Sequence, residues 1–307
     1  VEAVFFMQQS DRAGLIYVLA GFSTLSIGDA VVKSMAGLWP APAMAATRYV
    51  LAAVALSALL ARRQGWAAVV RMPRARLQWL RGLAVSLATM AMFSALWLMP
   101  LAEATTITFT QPMITALLAS LFLGEKLRPA AMVATLVGFC GVVLVLRPNF
   151  VAIGLPALLP LVAAASMAVL MIANRASAGA GTALVMQTYV SITASVLLVA
   201  ATIAGHFSGL AELQMHWPAW HVFARCAFIA CSATAAHWLI YLGTEKAGAA
   251  TVAPMTYGQL LAAALLGWAF FGERPDGMAL LGAAIIIGAG LYLWRINRMR
   301  EPAERAP

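Results

Sequence analysis

Apolar runs, each about as long as a bilayer is thick, follow one another along this chain with few interruptions. A hydrocarbon core of about 30 Å is crossed by about 20 helical residues rising about 1.5 Å each. Ten runs meet that length and are predicted as membrane-spanning helices: 14–35, 41–61, 80–100, 103–123, 128–146, 154–174, 181–204, 221–243, 247–271 and 277–294. Most connections are short and rich in turn residues, as in Trp39-Pro40-Ala41-Pro42 and Arg147-Pro148-Asn149; two are longer, 62–79 and 205–220. The first run is too long for the apolar core of a signal peptide and contains Ser23, Thr24, Ser26 and Asp29, so it reads as a helix of the mature chain, with Met7 as the expected start.

Composition sharpens this picture. Of 307 residues, 63% are hydrophobic and only 10% charged, against about 25% charged in a soluble domain. Such a chain cannot cover itself with polar groups, so lipid must solvate most of its surface. A soluble enzyme, a nucleic-acid binder and a disulfide scaffold are thereby disfavoured. The three cysteines, Cys140, Cys226 and Cys231, all lie inside apolar runs and read as packing residues. The net charge of +9 is spread in a membrane pattern. Arg62, Arg63, Arg71, Arg74, Arg76, Arg81, Lys126, Arg128, Arg175, Lys246 and the tail arginines share one side, while loop 205–220 has no Lys or Arg. The positive-inside rule then predicts both termini in the cytoplasm of a bacterial inner membrane.

The two halves repeat. Gln111–Glu125, QPMITALLASLFLGE, matches Gln259–Glu273, QLLAAALLGWAFFGE, at both glutamines, at Phe122 and Phe270, and at Gly124-Glu125 and Gly272-Glu273. Five crossings return the chain to the opposite side, so a second copy of a five-span unit must sit upside down. Inverted repeats are a transporter architecture. The expected fold is an all-α polytopic membrane protein of ten helices in two inverted repeats, 1–149 and 150–307.

Family character is carried by Asp29-Ala30-Val31-Val32-Lys33, Arg48, Leu80-Arg81-Gly82, Pro100-Leu101-Ala102-Glu103-Ala104, Phe109, Pro112, Leu123-Gly124-Glu125, Gly138, Gly141, Arg147-Pro148, Gln259, Gly272-Glu273 and Gly282. On these residues the chain resembles the drug/metabolite transporter superfamily, specifically its EamA-type ten-helix exporters, and is most similar to bacterial amino-acid exporters, aromatic ones included. The resemblance implies a central cavity lined by helices 1, 3, 4, 6, 8 and 9, with helices 5 and 10 peripheral.

Polar side chains inside the spans are the candidate site, because polar groups in hydrocarbon usually face a cavity or a partner. Gln111, beside Pro112 and near Thr108, and its repeat mate Gln259 offer two amides that can hold an ammonium and a carboxylate. Phe109 and Tyr257 occupy matching places and can flank an apolar group. His237 and Trp238 share roughly one face of the eighth helix, and Trp97 with Phe93 can form an aromatic wall in the third. Each of these also fits plain helix packing. Asp29 and Lys33, four apart, are expected to pair within the helix, which would leave Asp29 a poor proton carrier; Arg48 reads as structural. Gly124, Glu125, Gly272 and Glu273 are assigned structural or gating roles, and small-residue stripes such as Ala116-Ser120-Gly124 and Ala263-Gly267 allow close helix approach.

No metal-ligand spacing, cofactor motif or phosphate loop is present in the sequence. The expected function is a secondary transporter exporting small neutral or zwitterionic metabolites, foremost amino acids, as a monomer partnered only by lipid and substrate. Export of drugs or of cationic or nucleotide-type metabolites is the alternative within transport. An intramembrane protease would need a second aspartate or a serine–histidine motif, and a channel would need a continuous polar stripe.

Overall fold

The computed structural model of the chain describes residues 2–123, 129–177, 179–247 and 253–298; Gly124, Glu125, Lys126 and Arg128 lie outside these segments. Twelve helices are present among the described residues: α1 (Glu2–Lys33), α2 (Ala41–Gln64), α3 (Trp66–Val70), α4 (Ala75–Leu98), α5 (Leu101–Thr108), α6 (Gln111–Leu123), α7 (Pro129–Ile153), α8 (Leu159–Ala176), α9 (Ala183–His206), α10 (Trp220–Ala247), α11 (Gly258–Phe271) and α12 (Gly277–Arg298). Short 3-10 turns precede α8 and α11, at Leu155–Leu158 and Ala253–Tyr257, and a third spans Ala211–Leu213. Eight helical stretches are long and apolar enough to cross a membrane, with α5 and α6 together making one of them; Met132–Arg147 and Met255–Phe271 are shorter apolar stretches. Ile16, Val54, Leu121, Phe122 and Val143 face outward and are each about two-thirds exposed or more. Hydrocarbon is the solvent that suits such a surface.

The helix contacts obey an exchange rule. The most extensive join α1 to α10, α7 to α12, α2 to α9 and α4 to α8, followed by α4 with α9, α1 with α11, α6 with α8, α5 with α11 and α10 with α2. Swapping the halves (α1 for α8, α2 for α9, α4 for α10, α5–α6 for α11, α7 for α12) turns this set into itself. The protein is therefore an all-α polytopic membrane protein of two five-helix repeats, and the odd number of crossings makes them inverted.

Glycine sets the closest approach. The α7 and α12 backbones meet at Gly141 and Gly282; a β-carbon on Gly282 would lie 2.6 Å from the Gly141 carbonyl oxygen, and one on Gly141 would lie 2.8 Å from that of Gly282. Neither position has room for a side chain.

The elements differ from the sequence expectation in three places. Span 62–79 is not all loop: it folds α3 and the first turn of α4. The Arg147-Pro148-Asn149 turn is absent, and α7 runs through it to Ile153. A proline costs its helix one donor, and here Asn149 donates its amide hydrogen to the Glu103 carboxylate at the start of α5, holding the added turn in place. The fourth span breaks at Phe109–Thr110, one residue ahead of Gln111, into α5 and α6. There the Phe109 and Thr110 amides turn to the carbonyls three residues back, at 3.1 Å each.

Candidate translocation site

Spans four and nine are interrupted at equivalent positions. Phe109-Thr110-Gln111 in one half corresponds to Tyr257-Gly258-Gln259 in the other, where a 3-10 turn gives way to α11. Broken helices are tolerated at membrane depth only where the freed backbone groups are buried in protein or line a cavity. The two breaks lie against each other: the Phe109 and Tyr257 rings are 5.2 Å apart, centroid to centroid, and tilted by 41°.

Asp29 marks the polar centre beside these breaks. Gln259 Nε2 donates to Asp29 Oδ2 at 3.5 Å, and Ser26 Oγ, one turn earlier on α1, donates to the Gln259 carbonyl at 2.8 Å. A cavity of about 30 Å³, room for about one water, is lined by Gly28, Asp29, Arg48, Phe93 and Ser232 among others. A carboxylate, an amide, a guanidinium and a hydroxyl thus converge from α1, α11, α2 and α10. Carboxylate and amide accept from an ammonium, and the guanidinium donates to an anionic oxygen.

One turn or more beyond this centre, a latch closes the bundle. Lys33 Nζ meets Glu273 Oε1 at 2.8 Å. The same ammonium donates to the Leu96 and Met99 carbonyls at the end of α4, at 2.7 and 2.6 Å. Glu273 Oε2 accepts the Leu101 amide of α5 at 2.8 Å. Trp97 Nε1 adds a bond to the Val32 carbonyl at 3.1 Å. The sequence motif explains where Glu273 sits. Gly272 ends α11 with φ of +66°, and the Gly272 and Glu273 amides return to Trp268 and Gly267 at 3.1 Å each. This is the glycine-terminated helix cap. Gly267 leaves the space that the Glu273 carboxylate fills: a β-carbon there would lie 2.6 Å from Oε2.

A second pair of ties obeys the exchange rule. Arg81, at the start of α4 and nearly fully buried, donates from Nε to Asn174 Oδ1 of α8 at 2.6 Å, and from Nη1 to the Met186 carbonyl at 3.0 Å and to Gln78 Oε1. Arg225, at the start of α10, donates to the Ser34 carbonyl just past α1 at 3.2 Å. Each arginine ties the first turns of its own span to the end of the first span of the other half.

The chain matches the EamA-like transporter family twice, over residues 12–147 and 154–295. The chain belongs to the EamA-like transporter family. Among curated proteins this EamA-family chain is 31% identical over 206 residues to a riboflavin transporter of Rhizobium johnstonii, covering 66% of each chain. It is 29% identical over 216 residues to an S-adenosylmethionine uptake transporter of Rickettsia bellii, covering 70% of each. The riboflavin transporter of Vibrio cholerae is 29% identical over 208 residues, covering 66% of each chain. The chain thus aligns with about two-thirds of these relatives' lengths. A chain known from a crystal structure superposes with a TM-score of 0.59 at 19% identity, over 96% of this chain and 99% of that one, which shows the shared fold.

Against this EamA frame, the sequence-derived site divides. Asp29 and Gln259 come together, joined by Ser26, Arg48, Phe93 and Ser232, while Phe109 and Tyr257 form a separate ring pair whose Tyr257 hydroxyl reaches toward Gly290 of α12. Ser26 lies one helical turn from Asp29 on the same face of α1, a spacing that the sequence itself carries. The expected Asp29–Lys33 pair is not formed, because Lys33 reaches across to Glu273 instead. Thr108 donates to its own helix at the Thr105 carbonyl, 2.7 Å away. Gln111 is half-buried, and its backbone carbonyl accepts from Thr115. Pro112 is exposed. His237 and Trp238 sit on exposed positions of α10, with His237 Nδ1 2.6 Å from the Ala233 carbonyl of its own helix. Trp97 belongs to the latch. Gly124 and Glu125, the repeat mates of the latch residues Gly272 and Glu273, lie outside the described residues.

Proposed function

We propose that the protein is a secondary transporter that moves a small neutral or zwitterionic organic metabolite by alternating access, its halves being 1–149 and 150–307. The observation that carries this reading is the convergence of Asp29, Gln259 and Arg48 beside two broken spans, sealed toward one membrane face by the Lys33–Glu273 latch. Inverted repeats give the bundle a second arrangement of similar energy, in which the other face opens.

The substrate we favour carries a charged or strongly polar hydrogen-bonding group for the Asp29 centre and a ring for the Phe109–Tyr257 pair. Relatives named as riboflavin and S-adenosylmethionine transporters support a ring-bearing metabolite. An aromatic amino acid is the second reading, because a carboxylate and a guanidinium beside one cavity complement an ammonium and a carboxylate. The net direction, export or uptake, follows the substrate gradient and any coupled ion.

We place the protein in a bacterial inner membrane with both termini cytoplasmic, from the arginine-rich 62–79 segment and the Lys/Arg-free 205–220 loop. The latch then closes the outer face.

The test is flux from liposomes of purified protein loaded with labelled riboflavin, S-adenosylmethionine, phenylalanine or tryptophan. Saturable, protein-dependent flux of at least one is expected. Flux of every substrate at the rate of protein-free liposomes would overturn the reading.

A further inference from the structure

A second, much roomier cavity lies away from the polar centre. A crevice of about 620 Å³ runs between the first turns of α2, the last turns of α9 and the start of α10, at the membrane face that carries the latch. Its rim residues Val50, Leu51, Val199 and Ile203 are exposed, so it opens sideways among lipid-facing side chains.

Its polar groups are already occupied. Only three lining side chains carry a donor, Trp39, Thr47 and Thr202. Thr47 Oγ1 donates to the Ala43 carbonyl at 2.9 Å and Thr202 Oγ1 to the Leu198 carbonyl at 2.7 Å, each one turn back on its own helix. Trp39 Nε1 donates to the His216 carbonyl at 3.0 Å. The lining offers neither a charge nor an uncommitted donor, so it cannot recognise a headgroup, a nucleotide or an amino acid.

The exchange rule locates its counterpart, and that one is filled. At the opposite face, where the end of α2 meets the start of α9, Ala68, Val69 and Met72 of the long connection pack on Leu60, Val185 and Tyr189. The Tyr189 hydroxyl fastens this plug by donating to the Ala68 carbonyl at 2.9 Å. The equivalent connection at the latch face makes a single 3-10 turn at Ala211–Leu213, with Leu213 lying over Gly205, and sends only Met215 into the crevice. Two equivalent gaps therefore demand apolar filling, and the chain supplies it to one.

We propose that the crevice between α2, α9 and α10 is a binding site for the hydrocarbon tail of a membrane lipid. The tail takes the place that the α3 segment holds at the other face. It lies against Trp39, whose ring packs on Phe223 of α10 with centroids 5.5 Å apart, so an occupied crevice braces the start of α2 against α10. The inference needs only that the chain lies in a bilayer, and it stands apart from the choice of substrate.

The test uses the full chain in liposomes containing phosphatidylcholine with a diazirine on one acyl chain, followed by irradiation and peptide mapping by mass spectrometry. Adducts are expected on segments 43–51 and 199–203 at several times the yield on the outward-facing Leu136 and Val143 of α7. As the mole fraction of the probe lipid rises, crevice labelling should saturate while α7 labelling rises in proportion. Ala46→Phe, which fills the crevice, and Val50→Trp, at its rim, should each remove the excess and leave α7 labelling unchanged. Crevice labelling equal to that of α7 and linear in probe would overturn the proposal, and so would an excess that survives both substitutions.

Discussion

Asp29 is held by one amide and approached by one guanidinium, so single side chains should matter there. The Gln259–Asp29 contact, at 3.5 Å, is long for a hydrogen bond; an ordinary one contributes about 0.5–1.5 kcal/mol, and about 1.4 kcal/mol is a factor of ten. Asp29→Asn and Gln259→Ala are each expected to lower liposome flux by roughly 3- to 10-fold, and the double variant to lose much less than the product, because both act on one contact. Independent, multiplicative losses would mean that the two residues serve different steps. With Lys33 committed to Glu273, the Asp29 carboxylate is not locked in an intrahelical pair, so an imposed proton gradient is expected to accelerate flux by wild-type protein and to leave Asp29→Asn indifferent. The Lys33–Glu273 pair, largely withdrawn from solvent, gives a further contrast. Removing one partner strands a buried charge at a cost of about 3–5 kcal/mol. Lys33→Met or Glu273→Gln alone should therefore lower the thermal midpoint in detergent more than the two together. The polar centre was partly legible in sequence: the repeat singled out Gln259 and paired Phe109 with Tyr257 in advance. Lys33 misled because spacing of four on a helix suggests a local partner, while its long stem reaches a carboxylate 240 positions away. No local pattern encodes that contact.

At the scale of elements, the ten spans were readable because hydrocarbon imposes a length on each. Breaks within a span were less so. Pro112 pointed to an interruption in the fourth span, yet the turn falls at Phe109–Thr110, before the proline, which then starts the new helix favourably. Persistence of α7 through Pro148 was hidden for a related reason: the Asn149–Glu103 contact that holds it is tertiary. Glycines at helix contacts make the sharpest element-level prediction. Gly282→Ala places a methyl on the Gly141 carbonyl and should push α12 off α7, destabilising by about 1–3 kcal/mol as overpacking does. Gly288→Ala, whose β-carbon meets nothing within 4 Å, should leave the thermal midpoint in place. An equal response of the two would show that α7 and α12 do not pack as described.

For the whole molecule, orientation and the exchange rule are the matters to test. With the native cysteines replaced, Trp217→Cys should react with a membrane-impermeant maleimide in intact cells, and Trp66→Cys only after permeabilisation. Both parent residues are well exposed, at 91% and 72%. The reverse labelling would invert the protein and put the latch in the cytoplasm. The exchange rule also reaches further than gating. Nearly every extensive helix contact runs from one half to the other, and few lie within a half. The peptide bond near Gly154 thus joins two bodies that already embrace without it. Cut there, the fragments should find each other again in the bilayer and recover activity, whereas either alone would leave its interior face begging for a mate.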